Sequence, residues 1–188
     1  VAYRPARRVN GKSKNKHMPY SYGEFKNDVR DHIVDNFPKE TKILDVGAGS
    51  GTYGHLLRNH YDRIDALEIF PEYIKMFHLE SVYSNVYTGN ILTFDVSEYD
   101  YIIMGDVLEH ILPKYAMNLL RIFNILDKKM LIAVPYNYEQ GEEFGNVYET
   151  HHQPDLTVSK MYQRYPMLKL LYGDNKYGYY INYIPPIK

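Results

Sequence analysis

Cysteine is absent from this chain, which removes several kinds of chemistry at once. No disulfide forms and no thiolate ligates zinc. No cysteine nucleophile is available, which excludes the covalent route to methylation at C5 of cytosine. The lack of cysteine agrees with an expected cytoplasmic location. Tryptophan is also absent, whereas tyrosine occurs 21 times. Many of these tyrosines alternate with polar residues, the pattern of half-buried strands, in which tyrosine is favoured. No apolar run has the length of a membrane span and no segment has the layout of a secretory signal, so neither is expected.

Acidic residues are missing from one end. Residues 1–17 carry Arg4, Arg7, Arg8, Lys12, Lys14 and Lys16, a charge of +6. With −1 for the whole chain, the remainder stands near −7. So acidic a body is a poor binder of phosphate backbones, and nucleic acid is not an expected partner. The basic leader 1–17 is expected to be either a disordered nucleic-acid arm or, the favoured reading, an addition outside the fold, with His17-Met18 as a cloning junction. Residues 18–188 have the length of one domain with one core.

Short β-branched runs and longer helical patterns alternate along that domain, which predicts an α/β fold with a mainly parallel sheet. Tyr22, Phe25, Val29, Ile33 and Phe37 recur at helical spacing up to Pro38. Strands are expected at 42–46, 63–68, 82–87, 101–104 and 130–134. Helices are expected at 51–60, after Pro71 and after Pro113, where a proline at the first helical position sacrifices no hydrogen bond. The stretch 135–154 is polar and aromatic without a period, and so long a connection is usually functional or disordered. A short helix at 157–164 and strands at 168–172 and 179–184 close the chain.

The loop after the first strand satisfies two templates. Gly49-Ser50-Gly51-Thr52-Tyr53-Gly54 fits the G-x-G-x-x-G dinucleotide fingerprint, with Glu68 near the spacing of a ribose-binding acid. An NAD-dependent oxidoreductase is thus one reading. Register and charge argue against it. The strand ends in Asp45, and a carboxylate there repels a pyrophosphate. It attracts the sulfonium and ammonium of S-adenosylmethionine (SAM), while the glycines let backbone approach the ligand without a Cβ in the way.

Asp45-x-Gly47-x-Gly49-x-Gly51 resembles the first motif of the class I SAM-dependent methyltransferases. Gly105-Asp106-Val107-Leu108-Glu109-His110 resembles the D-V-L-E-H run of their small-molecule branch. The resemblance covers most of residues 20–135. It implies a doubly wound, Rossmann-like, seven-stranded sheet with helices on both faces and the last strand pair antiparallel to the rest. It implies SAM as cofactor and S-adenosylhomocysteine (SAH) as product, held by Asp45, Gly47, Ala48, Gly49 and Gly51. In that family Glu68, with Ile69, meets the ribose hydroxyls. Asn90 stands where an acid often pairs with the adenine amino group, and an Asn oxygen accepts the same bond. Ile91 would lie against adenine, and Asp106 and Val107 at the methionine end.

Methyl transfer to a good nucleophile needs mainly alignment, whereas a hydroxyl acceptor benefits from a base. His110 is the first candidate and His151 the second. Tyr20, Tyr22, Glu109, Tyr136 and His152 are candidates for acceptor contact. The expected acceptor is a small or sugar-like molecule methylated on oxygen or nitrogen. No metal is expected. An alternative set, Asp106, Glu109 and His110 with His151 or His152, is similar to the metal site of enzymes that methylate the 2′-hydroxyl at small-RNA 3′ ends. A SAM-binding protein without activity is a further reading. Amino-methylating DNA enzymes are not expected, because the fourth strand lacks the Asn/Asp-Pro-Pro-aromatic ending.

Overall fold

The apolar run Ile43–Val46 forms β1, buried at every position in a computed structural model that describes residues 22–143 and 145–184. The leader 1–17 and Tyr20 lie outside the described residues. On either side, β1 pairs in parallel with β2 (Ile64–Glu68) and β4 (Tyr101–Gly105). Beyond β2 lies β3 (Asn85–Thr88), and beyond β4 lies β5 (Lys129–Pro135), both also parallel. Antiparallel to β5 runs β7 (Tyr177–Ile181), and β6 (Lys169–Gly173) closes the edge against it. The seven strands stand in the order β3-β2-β1-β4-β5-β7-β6.

Helices α1 (Lys26–Asn36), α2 (Thr52–Leu57), α3 (Pro71–Met76), α4 (Pro113–Ile125) and α5 (Val158–Arg164) cover the sheet. Strand side chains alternate between its faces, and the core divides accordingly. Leu44, Val46, Ile102, Met104, Met130 and Ile132 pack with Ala116, Leu120 and Phe123 of α4 and Met161 of α5. Ile43, Ala66, Tyr101, Ile103 and Leu131 pack with Val29 and Ile33 of α1 and Leu57 of α2. The sheet is therefore mostly parallel, with helices on both faces. No described helix is long and apolar enough to cross a membrane.

Several boundaries differ from the sequence expectation for local reasons. The first helix starts at Lys26 because Phe25 takes a left-handed φ of 62°. Tyr22 instead stacks on Tyr177, with ring centroids 5.1 Å apart. β3 starts only at Asn85 because Val82 and Tyr83 are buried in the turn that packs on α2. β7 begins earlier than expected and stops at Ile181. Past that point the Asn182 side chain takes over, accepting from Met130 N at 2.9 Å. The expectation that both last strands oppose the others is corrected. Only β7 is reversed, because β6 and β7 form a hairpin whose arms must run in opposite directions.

Candidate functional site

The chain crosses from one face of the sheet to the other between β1 and β4. Such a switch point leaves a crevice at the carboxyl ends of the strands. A cavity of about 680 Å³ occupies it, lined by Gly47, Ala48 and Gly49 after β1, Glu68 and Ile69 at the end of β2, and Gly105, Asp106 and Val107 at the end of β4. Asn90 and Ile91 line it from the loop after β3. The segment after β5 supplies the remaining wall, including Tyr136, Glu149, His151 and His152.

The glycine loop is shaped by backbone geometry. Gly47 has φ +64°, and a Cβ there would lie 2.5 Å from Val107 Cγ2. Its N–H donates to Leu67 O at 2.7 Å, tying the loop to β2. Gly49, at φ +50°, donates its N–H to Glu68 Oε2 at 3.0 Å. The other Glu68 oxygen accepts from Phe70 N at 2.9 Å. One carboxylate thus fastens the loops after β1 and β2 and still faces the cavity. Burial raises the Glu68 pKa, opposed by these two amide bonds.

Asp45 and Gly51 are not among the described residues that line the cavity. Alternation along β1 turns Asp45 toward the layer of α1 and α2. There it is 1% exposed and accepts from Tyr83 OH at 2.5 Å. Gly51 caps α2 at φ +80° and faces Leu79 and Tyr83. Burial pushes the Asp45 carboxyl up to about 7 from 3.8, with the Tyr83 bond and Lys26 opposing. Between about pH 4 and 7 the folded state therefore holds this proton more tightly than the unfolded chain, and stability from this group falls as pH rises through that window. Asp45→Asn is expected to remove that slope, so that the variant gains stability relative to the parent from pH 4 to 8. Denaturant midpoints across that range test it; parallel profiles for the two proteins would refute the assignment.

Asn90 is exposed, and its side-chain oxygen already accepts from Leu92 N at 2.9 Å, leaving one lone pair for an adenine amino group. Asp106 has a left-handed φ of 57° and accepts from Tyr177 OH at 2.6 Å. Tyr22 lines the entrance and donates to Asp174 at 2.9 Å. Tyr136, whose hydroxyl bonds that of Tyr180, lines the wall beside β5.

Glu109, His110 and His151 meet at the wall of the same cavity. One ligand-type atom from each lies within 4.8 Å of the others. The two imidazoles meet edge-on, with centroids 4.7 Å apart. His110 Nδ1 lies 3.3 Å from Thr150 O, and His151 Nδ1 lies 2.8 Å from Tyr138 O. A carbonyl only accepts, so each Nδ1 carries the proton and each Nε2 keeps its lone pair. Burial, helped by His151, brings the His110 pKa down to about 4. Burial also lowers that of His151. Both rings are neutral at physiological pH. Glu109 is 1% exposed, and burial with nearby Asp106 drives its pKa well above the ordinary carboxylate value. His152 is exposed and reaches the cavity beside them.

Two supporting residues escape a reading of the sequence. Lys26 is buried, donates to Tyr53 OH at 2.9 Å and lies 4.1 Å from that ring's centroid. Burial lowers its pKa to about 8 against the pull of Asp106 and Asp45. Its helical spacing from Val29 and Ile33 was the available signal that it faces inward. Gln153, 1% exposed, donates to Leu108 O and Ile111 O, both at 2.9 Å. It accepts from Tyr165 OH at 2.8 Å and Arg164 at 3.2 Å. Nothing periodic marks it in a polar loop.

A family model described as a methyltransferase domain matches residues 15–166. No curated protein matches the chain. Among solved structures, a S-adenosylmethionine-dependent methyltransferase from Clostridium acetobutylicum ATCC 824 is similar with a TM-score of 0.61 at 11% identity, over 85% of this chain and 91% of that one. The magnesium protoporphyrin IX methyltransferase ChlM from Synechocystis PCC 6803, solved with SAH, gives 0.56 at 11% identity over 84% and 83%. The mitomycin 7-O-methyltransferase MmcR gives 0.55 at 12% identity over 85% of this chain and 54% of its own. The chain spans about half the length of several such structures. At these identities the likeness is one of fold.

Proposed function

We propose a reaction from one premise: the chain belongs to the methyltransferase domain family, in its class I, SAM-dependent form. The reaction is methyl transfer from SAM to a small, sugar-like or hydroxyl-bearing acceptor, on oxygen or nitrogen. The observation that carries it is the charge of the cavity. Glu68, Asp106, Glu143 and Glu149 line it, against Lys176 as the single lysine or arginine among the described lining residues. A site so acidic suits a cationic cofactor and opposes the pyrophosphate of a dinucleotide. The reversed β7 also departs from the doubly wound strand order of dinucleotide-binding folds. The cradle fits SAM: Glu68 faces the cavity with lone pairs for two ribose hydroxyls, and backbone at Gly47 approaches without a Cβ. Ile91 supplies an apolar face for adenine, and Asp106, oriented by Tyr177, an anion for the methionine ammonium.

When bound, SAM supplies an electrophilic methyl group whose departure leaves a neutral thioether. The chain's own residues supply position. His110 and His151 present neutral Nε2 acceptors to a donor hydroxyl or amine, and Tyr136 and Tyr138 wall the same space. With a pKa near 4, His110 is too weak to be an efficient general base near pH 7; orientation of the acceptor is the role it can fill. The cavity volume falls in the range of small-molecule sites, roughly 300–1,000 Å³. ChlM and MmcR, by name, act on small molecules, which agrees with this acceptor class.

Calorimetry with SAM, SAH and NAD, followed by a radiolabelled methyl-transfer screen over hydroxyl- and amine-bearing small molecules, tests the proposal. SAM and SAH binding without NAD binding, and label transferred to an acceptor, are expected. NAD binding in place of SAM would overturn the cofactor, and SAM binding without transfer across the screen would overturn the enzymatic reading.

A further inference from the structure

Glu109 is buried, and neither of its carboxylate oxygens has a hydrogen-bond partner among the described residues. A buried polar group left this way demands an explanation, since each unsatisfied oxygen carries its full desolvation cost. Its neighbours supply one. His110 and His151 place donor atoms within 4.8 Å of it and of each other. Each ring has Nδ1 fixed on a backbone carbonyl, Thr150 O for one and Tyr138 O for the other. Imidazoles that ligate metals are oriented in this way, by a hydrogen bond from the nitrogen that does not ligate. The backbone itself fastens the three together, because His152 N and Gln153 N both donate to Glu109 O, at 2.8 and 3.1 Å.

We propose that Glu109, His110 and His151 bind a divalent transition-metal ion through one carboxylate oxygen and two Nε2 atoms, with its open positions toward the cavity. Two imidazoles and one carboxylate suit zinc, iron(II), manganese or cobalt, and three protein ligands leave room for an exogenous oxygen donor. Donors about 2.0–2.2 Å from one tetrahedral ion lie about 3.3–3.6 Å apart. The three atoms, within 4.8 Å of one another here, therefore draw together on binding by up to about 1.3 Å. An ion here would take the two Nε2 lone pairs, neutralise the orphaned carboxylate and, as a Lewis acid, hold an acceptor hydroxyl in place of the direct contacts the imidazoles make without it. The site stands on these three side chains and does not require the methyl-transfer reading.

The full chain, stripped with chelator, is titrated with Zn²⁺, Mn²⁺ and Co²⁺ while metal content and the Co²⁺ d–d spectrum are recorded. One tightly held equivalent per chain is expected for at least one ion. His151→Ala, whose side chain is not in the core, should lower that affinity at least tenfold, and Glu109→Gln likewise, with thermal melts verifying that each variant is folded. A Co²⁺ spectrum altered by His110→Gln would agree. Absence of stoichiometric uptake by the parent, or affinity in His151→Ala and Glu109→Gln equal to the parent's, overturns the site. SAM calorimetry on the same samples separates the two readings: metal uptake without SAM binding leaves this site standing and removes the methyl-transfer reaction.

Discussion

Replacing Glu68 with alanine is expected to weaken SAM binding by about a hundredfold or more. In the proposed cofactor site the carboxylate accepts from two ribose hydroxyls, and a hydrogen bond to a charged group contributes about 1.5–3 kcal/mol. Two such bonds amount to about two to four factors of ten in the dissociation constant. The same side chain binds Gly49 N and Phe70 N, so its loss also loosens the loops after β1 and β2. Glu68→Asp separates the effects. It keeps the charge but is shorter by one methylene, and should cost about tenfold in affinity with a smaller change in melting temperature. Calorimetry with SAM and SAH measures both variants. Equal SAM affinity in Glu68→Ala and the parent would remove Glu68 from the cofactor site, whatever the melting temperatures show.

The fold was legible where local pattern suffices. Apolar runs at Ile43–Val46, Tyr101–Gly105 and Lys129–Pro135 are strands buried on both faces, which is what a parallel sheet covered by helices requires. The prolines at 71 and 113 open helices as expected. The glycine loop, Glu68 and the Asp106–His110 run were legible because their spacing is itself the signal, and the structure brings them to one cavity. What stayed hidden depends on contacts distant in sequence. Asp45 stands beside the glycines, and its hydroxyl partner Tyr83 lies 38 positions away. Tyr177 orients Asp106 from 71 positions away. Several tyrosines read as strand packing are thus also the hydroxyl partners of buried acids, a role that composition cannot reveal. The direction of β6 depends on a hairpin and not on any property of its own five residues.

Gln153→Leu should lower stability by about 3 kcal/mol or more and disturb the acceptor side of the cavity with it. The substitution conserves bulk but removes four hydrogen bonds and strands Ile111 O and Tyr165 OH, while Leu108 O keeps Ile111 N and Arg164 keeps Asp155. Leu108 O and Ile111 O lose their amide donor, and Tyr165 OH and Arg164 lose their acceptor. Unsatisfied buried groups cost about 1–3 kcal/mol each. For a chain of this size about 3 kcal/mol is a fall of roughly 6–12 °C in melting temperature. Gln153→Glu identifies which half of the amide matters. It retains oxygens for Tyr165 and Arg164 but sets a carboxylate against two carbonyls, so it should be no more stable than Gln153→Leu. Recovery of the parent melting temperature in Gln153→Glu would show that the donor half is dispensable. The consequence extends beyond stability, because Gln153 ties the residues flanking Glu109 and His110 to the segment that carries His151. Loosening that tie should impair whatever Glu109, His110 and His151 bind together while leaving SAM affinity, which the proposed cofactor site assigns to Glu68 and the glycine loop, within a few-fold of the parent. Calorimetry with SAM and metal titration on the same variant, below its melting transition, would resolve the two halves of the cavity as separately fastened units.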